Sequence, residues 1–274
     1  MDPQLSLSPL GSRTGLKVSA IGTGLWSVAG SEWGPADDQA TLDAIEASID
    51  LGVNVFDTAD VYAAGHSEEL LGMAMKGRRE RFIVATKIGW VGFDGEGGKS
   101  QYDTVDKLVA GVEDSLRRLG TDYIDVIQCH VFFTEPNTPV FIEGFRQLKQ
   151  AGKVRAWGIS TGELGPLQVF NDDGDCDVLQ IDYSILNRIP EREILPYCQE
   201  AGIGVIVRGP LAMGLLVDKY DASAAFPDND FRHKWIKDPE QNEQFLRDLD
   251  TVAALRPAVP DGQTMAQFAL RFVS

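Results

Sequence analysis

Cysteine is scarce in this chain. Cys129, Cys176 and Cys198 are odd in number and never fall at CxxC spacing, which excludes a disulfide framework and a structural zinc site and fits a reducing compartment. The three histidines, His66, His130 and His233, make no HxH or HExxH pattern, so a metal-dependent hydrolase lacks its ligands. Basic charge is short as well: 25 Lys plus Arg face 41 Asp plus Glu, a net charge of −16. Such a field repels phosphate backbones and anionic lipid heads, so neither nucleic acid nor a membrane surface is an expected partner. There is no run of about 18 apolar residues to span a bilayer, and the opening MDPQLSLSPLGSRTG holds no signal-length apolar stretch. The expected location is cytoplasmic. A dinucleotide fingerprint is missing too: Gly22 and Gly24 do not extend to GxGxxG, because Ser27 occupies the third position.

What is present is material for a large core, since 43% of the 274 residues are hydrophobic and 13 are Phe. Seven runs suited to buried parallel strands recur: Val18 to Leu25, Val53 to Ala59, Arg81 to Ile88, Ile124 to His130, Arg155 to Thr161, Val178 to Ser184 and Ile203 to Leu211. Between them lie amphipathic helical faces, formed by Leu42, Ile45 and Ile49, by Leu108, Val109, Val112 and Leu116, and by Phe141, Ile142, Phe145 and Leu148. Gly52, Gly120, Gly152 and Gly202 stand where such helices should stop. Alternating strand and helix at this length, close to the ~250 residues usual for the fold, predicts an α/β (β/α)8 TIM-type barrel, with a doubly wound open sheet as competitor.

The expected organisation is one barrel domain over residues 1–274 that is incomplete at its C-terminus: seven strands are evident and no eighth follows the seventh. Strands one and seven are then expected to face each other with unpaired edges, which makes self-association an expectation. The segment 212–260, rich in Asp and Pro with a helix from Glu240 to Leu255, reads as a lid.

In a barrel, residues at the C-terminal strand ends share one mouth. Strand two ends in VNVFDTADVY, which brings Asp57 and Tyr62; strand three ends in VATKIGW with Lys87; strand four ends in VIQCH with His130. An ammonium within an apolar run needs a facing carboxylate, and Asp57 on the next strand provides one. If Tyr62 folds over Lys87, the cation is expected to lower the phenol from near ~10 and make it a general acid. His130 can donate a hydrogen bond to a carbonyl oxygen and orient it.

These residues, in this order and strand context, resemble the Asp, Tyr, Lys, His tetrad of the aldo-keto reductase family, and the resemblance runs from Leu10 to Ser274. It implies reduction of an aldehyde or ketone by hydride transfer from NADPH, with NADH as second option, Tyr62 acting as proton donor with Lys87, Asp57 and His130. It further implies that Gly24, Leu25 and Trp26 lie beside the nicotinamide, and that Ser160 and Gln180 hold its carboxamide together with Thr161, where the family usually has Asn. On strand seven Arg208 stands where the family commonly presents a stacking aromatic. A guanidinium plane can also stack, and its charge disfavours the oxidised ring. Gly209, Leu211 and Gly214 resemble the loop along the pyrophosphate, binding through backbone amides. Trp26, Trp33 and Trp90 are expected in the substrate pocket.

Other readings stand beside this one. Asp57 and Lys87 could be a buried structural pair and His130 a satisfied core histidine; His66 reads as a solvated loop residue. Arg232, Lys234 and Lys237 read as solvated surface, and Cys129, on the strand face opposite His130, as core. The functional alternative is a cofactor-binding barrel without useful turnover, serving as a redox-reporting or assembly subunit. A glycosidase barrel ranks last, because strands four and seven offer His130 and Arg208 rather than facing carboxylates.

Overall fold

The computed structural model describes residues 6–29, 37–90, 102–130 and 137–274. Strands β1 (Leu7–Pro9) and β2 (Lys17–Ser19) form an antiparallel hairpin. The seven strands β3 (Gly22–Gly24), β4 (Val55–Asp57), β5 (Ile83–Ile88), β6 (Ile124–His130), β7 (Val154–Ser160), β8 (Val178–Asp182) and β9 (Gly204–Arg208) pair in chain order as one parallel sheet. Helices α1 (Asp38–Asp50), α2 (His66–Met75), α3 (Val105–Leu119), α4 (Thr138–Gln150), α5 (Leu164–Phe170) and α6 (Ile194–Ala201) alternate with them. Each crossover returns to the neighbouring strand, so the twisted sheet curls into the (β/α)8 barrel architecture. Among the described residues no pairing joins β3 to β9. After β9 come α7 (Lys234–Lys237), α8 (Pro239–Leu255) and α9 (Met265–Val273).

The elements follow their local chemistry. Thr104 caps α3 by accepting from the Lys107 amide, and Thr264 with Gln267 forms a capping box on α9. The expected stop glycines all take left-handed backbone. The sheet separates two cores. Outward residues such as Phe56, Ile127 and Trp157 meet Phe141, Phe145 and Leu116 from the helices, and Cys129 is part of this layer. Inward residues Ala85, Val126, Ala156 and Val178 pack with Leu10 and Leu16, so the N-terminal hairpin plugs the barrel.

Among the strand boundaries that differ from expectation, two have a local cause. The run from Val18 to Leu25 is two strands: β2 ends at Ser19, which pairs with Leu7, and β3 begins at Gly22, with the Ser19 hydroxyl donating to the Ile21 carbonyl at 2.7 Å and its amide to Asn54 Oδ1 at 2.8 Å across the break. The run from Ile203 to Leu211 ends at Arg208, since Gly209 turns left-handed with φ 67°.

A buried polar network supports the turn that follows β4. Glu68 on α2 is fully buried and accepts from Thr86 Oγ1 at 2.6 Å and from Arg118 Nε at 2.7 Å. Arg118 in turn lies beneath Gly65, where a Cβ would sit 2.5 Å from its Cδ. Ala63, Ala64 and Gly65 are consecutive left-handed residues, with φ of 47°, 54° and 96°. Such backbone persists only where neighbours over-determine it. Beneath the same turn, Asp60 Oδ2 accepts from the Tyr102 hydroxyl at 3.4 Å, while Oδ1 has no hydrogen-bond partner among the described residues. Burial first, and then the Glu68 carboxylate, push the Asp60 carboxyl up to about 7, against the pull of Arg118.

A Cβ on Gly158 would lie 1.7 Å from the Val178 carbonyl oxygen on β8, so Gly158→Ala is expected to cost about 2–3 kcal/mol. The urea midpoint reads this, and an unchanged midpoint refutes the contact. For Asp60 the folded value is raised, so its stabilising contribution is complete below the unfolded value near ~4 and is lost as pH rises toward about 7. Asp60→Asn cannot ionise, and its stability relative to the parent should therefore rise between about pH 4 and about pH 8. Equal urea midpoints for the two proteins at both pH values contradict the assignment.

Candidate functional site

Three neighbouring strands deliver the polar groups. Asp57 is the last residue of β4, Lys87 lies near the end of β5 and His130 closes β6. Tyr62 opens the turn after β4. Lys87 is 1% exposed, and its ammonium spends all three donors: on Asp57 Oδ1 at 2.6 Å, on the Thr58 carbonyl at 2.8 Å and on the Tyr62 hydroxyl at 3.3 Å. The Tyr62 ring lies under the same cation, 4.9 Å from centroid to Nζ. The His130 ring meets Tyr62 edge-on at 5.9 Å and Trp90 edge-on at 5.0 Å. The groups expected from separate strand ends are thus in one cluster. Thr58 was not singled out in the sequence, because it contributes only a carbonyl, which any residue has.

The electrostatics correct one expectation. Lys87 was expected to bring the Tyr62 hydroxyl below its ordinary value, and it does pull downward. Burial is the larger influence, and with Asp57 it raises Tyr62 above 10.0. Tyr62 therefore keeps its proton at neutral pH. Burial alone lowers Lys87, yet the Asp57 carboxylate and the Tyr62 oxygen together more than offset it and keep the amine charged. His130 is held well below its usual range by burial and then by the charges of Lys87 and Arg208. It is a neutral imidazole. Its Nδ1 is buried without a partner among the described residues, and an orphaned acceptor costs less than an orphaned N–H, so the ring proton belongs on Nε2.

A cavity of about 870 Å³ opens over this cluster. Asp57, Tyr62, His130, Gly24, Trp26, Trp90, Ser160, Gln180, Arg208, Gly209, Leu211 and Gly214 all line it. Ser160 and Gln180 are register partners, with the Ser160 hydroxyl donating to Gln180 Oε1 at 3.4 Å and Gln180 Nε2 donating to Asp57 Oδ2 at 2.7 Å. Two expected residues are elsewhere. Leu25 is buried in the outer core, and the Thr161 hydroxyl accepts from the Glu163 amide at 3.2 Å, bridging the loop into α5. Trp33 lies outside the described residues.

The segment after β9 corrects a further reading. Lys234 and Lys237 are exposed as expected, but Arg232 turns inward to the cavity wall, paired with Asp230 at 2.6 Å and donating to the Tyr220 hydroxyl at 2.8 Å. Next to it Phe231 stacks on Trp26 at 5.6 Å, and Trp26 stacks on Tyr62 at 6.4 Å. No spacing in the sequence marks Phe231, because its partner is some 200 residues away. His66 also departs from the loop reading: it opens α2 and bridges Asp38 at 3.0 Å and Glu69 at 3.3 Å.

Comparison with known proteins agrees with this geometry. Residues 20–274 match the model of the aldo/keto reductase family. The chain is 32% identical to the aldo-keto reductase YhdN of Bacillus subtilis over 268 residues, covering 95% of this chain and 78% of that protein. It is 31% identical over 273 residues to a probable voltage-gated potassium channel subunit beta of Arabidopsis thaliana, with 94% and 80% covered. Among solved structures, the holo form of aldo-keto reductase AKR11C1 from Bacillus halodurans superposes with TM-score 0.77 at 31% identity, covering 98% of this chain and 82% of that one. An aldo-keto reductase from Klebsiella pneumoniae, solved in complex with NADPH, superposes with TM-score 0.66 at 29% identity, covering 80% and 74%. With its barrel, its strand-end cluster and this match over nearly its whole length, the chain belongs to the aldo/keto reductase family.

Proposed function

We propose that this chain reduces an aldehyde or ketone to an alcohol, with Tyr62 delivering the proton to the carbonyl oxygen. The observation that carries the reading is the Lys87 ammonium, hydrogen-bonded at once to the Asp57 carboxylate and the Tyr62 hydroxyl at the wall of a cavity. His130, neutral and protonated on Nε2, donates to the substrate oxygen and sets its orientation. Tyr62 holds its proton through the resting state because burial raises its hydroxyl. As negative charge gathers on the substrate oxygen, Tyr62 gives up that proton and the phenolate left behind faces Lys87. Asp57 keeps Lys87 cationic throughout.

The cavity fits a nicotinamide cofactor. A side chain added at Gly24 would point into open space, so the first strand leaves room for a flat ring. Ser160 and Gln180 offer a hydroxyl beside an amide, suited to a carboxamide. Arg208 stands at the ring's stacking position, and Gly209, Leu211 and Gly214 carry backbone toward the pyrophosphate. NADPH, with NADH as the second option, supplies the hydride when bound. Trp26 and Trp90 frame the carbonyl compound, and segment 212–260, which contributes Met213, Gly214 and Arg232 to the wall, serves as the cover.

The kinship with a potassium channel subunit beta favours a second reading, a barrel that binds cofactor and reports redox state or aids assembly without useful turnover. One pair of measurements separates the two. The parent should oxidise the reduced cofactor in the presence of an aldehyde panel, and Tyr62→Phe should lower that turnover at least about 100-fold while cofactor affinity, read by tryptophan quenching, stays within about threefold. A Phe variant as fast as the parent ends the assignment of Tyr62. Tight binding by the parent with no turnover on any aldehyde selects the second reading.

A further inference from the structure

At the mouth of the barrel, Asp182 and Arg208 end adjacent strands as register partners. Arg208 Nη1 lies 3.5 Å from Asp182 Oδ2, and the two side chains are 32% and 31% exposed. Asp182 is itself anchored. Asn187 Nδ2 donates to its Oδ1 at 2.9 Å and to its backbone carbonyl at 3.2 Å, and the loop that carries Asn187 is closed by paired bonds between the backbones of Ser184 and Asn187. Gly209, left-handed at φ 67°, packs against the carboxylate so closely that a Cβ would lie 2.8 Å from Oδ2. One oxygen is thus held by Asn187, and the other faces the guanidinium across a glycine.

A one-third-exposed ion pair at this distance adds little to stability. What it does fix is where a cation points. Arg208 lines the cavity and its charge reaches the reacting groups: it opposes burial at the Tyr62 hydroxyl and adds to burial at His130. The charged groups around Tyr62 are Asp57 from β4, Lys87 from β5 and Arg208 from β9, with the neutral His130 ring from β6. Lys87 is buried and bound to Asp57, itself one-fifth exposed, which leaves Arg208 as the member whose position is set at the rim. Among the described residues, the hydrogen-bonding partners of the Asp182 side chain are Arg208 and Asn187.

We propose that Asp182 is a positioning residue that holds the Arg208 guanidinium against the cavity wall and sets how much positive charge reaches Tyr62, His130 and the nicotinamide ring. For the nicotinamide this rests on the cofactor reading given above; for Tyr62 and His130 it rests on Arg208 lining the same cavity as both. With Asp182 in place the guanidinium is partly neutralised and fixed. Without it a full, mobile cation faces the ring, and an oxidised, positively charged ring is then held less well than a reduced, neutral one.

Two readouts test this in the whole chain. In the cofactor-free protein, the Arg208 side-chain NMR signal, assigned by its loss in Arg208→Gln, should show slow rotation of the guanidinium, and Asp182→Asn should speed that rotation several-fold. With cofactor, the ratio of oxidised to reduced dissociation constants should rise about threefold in Asp182→Asn, a shift of about half a pH-unit equivalent. The basic limb of kcat/KM for carbonyl reduction should move to lower pH in the same variant. In an Arg208→Gln background Asp182→Asn should change neither the ratio nor the limb. Guanidinium rotation indifferent to Asp182→Asn, or the same change in ratio with Arg208 already removed, overturns the proposal. A chain whose rotation responds but which binds neither cofactor keeps Asp182 as the anchor of Arg208 and overturns the oxidoreductase reading instead.

Discussion

The site depends on a single ammonium taken out of water. Burying Lys87 carries a desolvation cost that no apolar neighbour can offset, and the barrel meets it by exhausting the donors of the amine: a carboxylate, a backbone carbonyl and a phenol. Each acceptor comes from β4 or the turn after it, so the pairing of β4 with β5 and the chemistry of the site are one constraint. The two strands are in register through Val55 and Ile83, Phe56 and Val84, Asp57 and Ala85. A slip of one residue would turn Lys87 into the outer core and Asp57 away from it.

The backbone beside the site is unusual. Directly after Tyr62 the chain turns into α2 through the left-handed residues Ala63, Ala64 and Gly65. Alanine does not favour such backbone, so the turn needs a floor. Arg118, Glu68 and Thr86 form it from α3, α2 and β5, with Glu68 fully buried between the other two. Thr86 immediately precedes Lys87 and points to the opposite face of the strand. The outer network and the inner cluster are therefore the two faces of one short strand.

Much of this was legible in the sequence. A cation in an apolar run demands a partner, and Asp57, Tyr62 and His130 followed from reading strand ends as one mouth. What could not be read was anything set by competition between opposing influences. Lys87 and burial act on Tyr62 in opposite directions, and only the depth of the hydroxyl decides that burial prevails. Thr161 was drawn into the site by position in a motif, yet an amide two residues on claims its hydroxyl. The break between β2 and β3 is likewise local, marked by the Ser19 hydroxyl donating to the Ile21 carbonyl. Phe231 and Arg232 belong to the wall only because a long excursion returns to Trp26, and periodicity carries no record of that return.

The net charge gives the placement of cations a meaning that sequence counting hides. In a chain with 41 acidic and 25 basic residues, many Arg and Lys are paired with surface carboxylates, as Arg146 is with Asp173 and Asp175. At the mouth the balance reverses: Arg208 and Arg232 line the cavity and Lys87 lies buried behind its lining residues Asp57 and Tyr62, each cation paired with one carboxylate, Asp182, Asp230 and Asp57. The three pairs differ in burial, from a wholly enclosed ammonium to a guanidinium one-third open to solvent, and so differ in how firmly each charge is screened. The two cations that line the cavity, Arg208 and Arg232, give an anionic cofactor its local partners in an acidic protein. Their carboxylates do not cancel them; they decide where in the cavity positive charge is available.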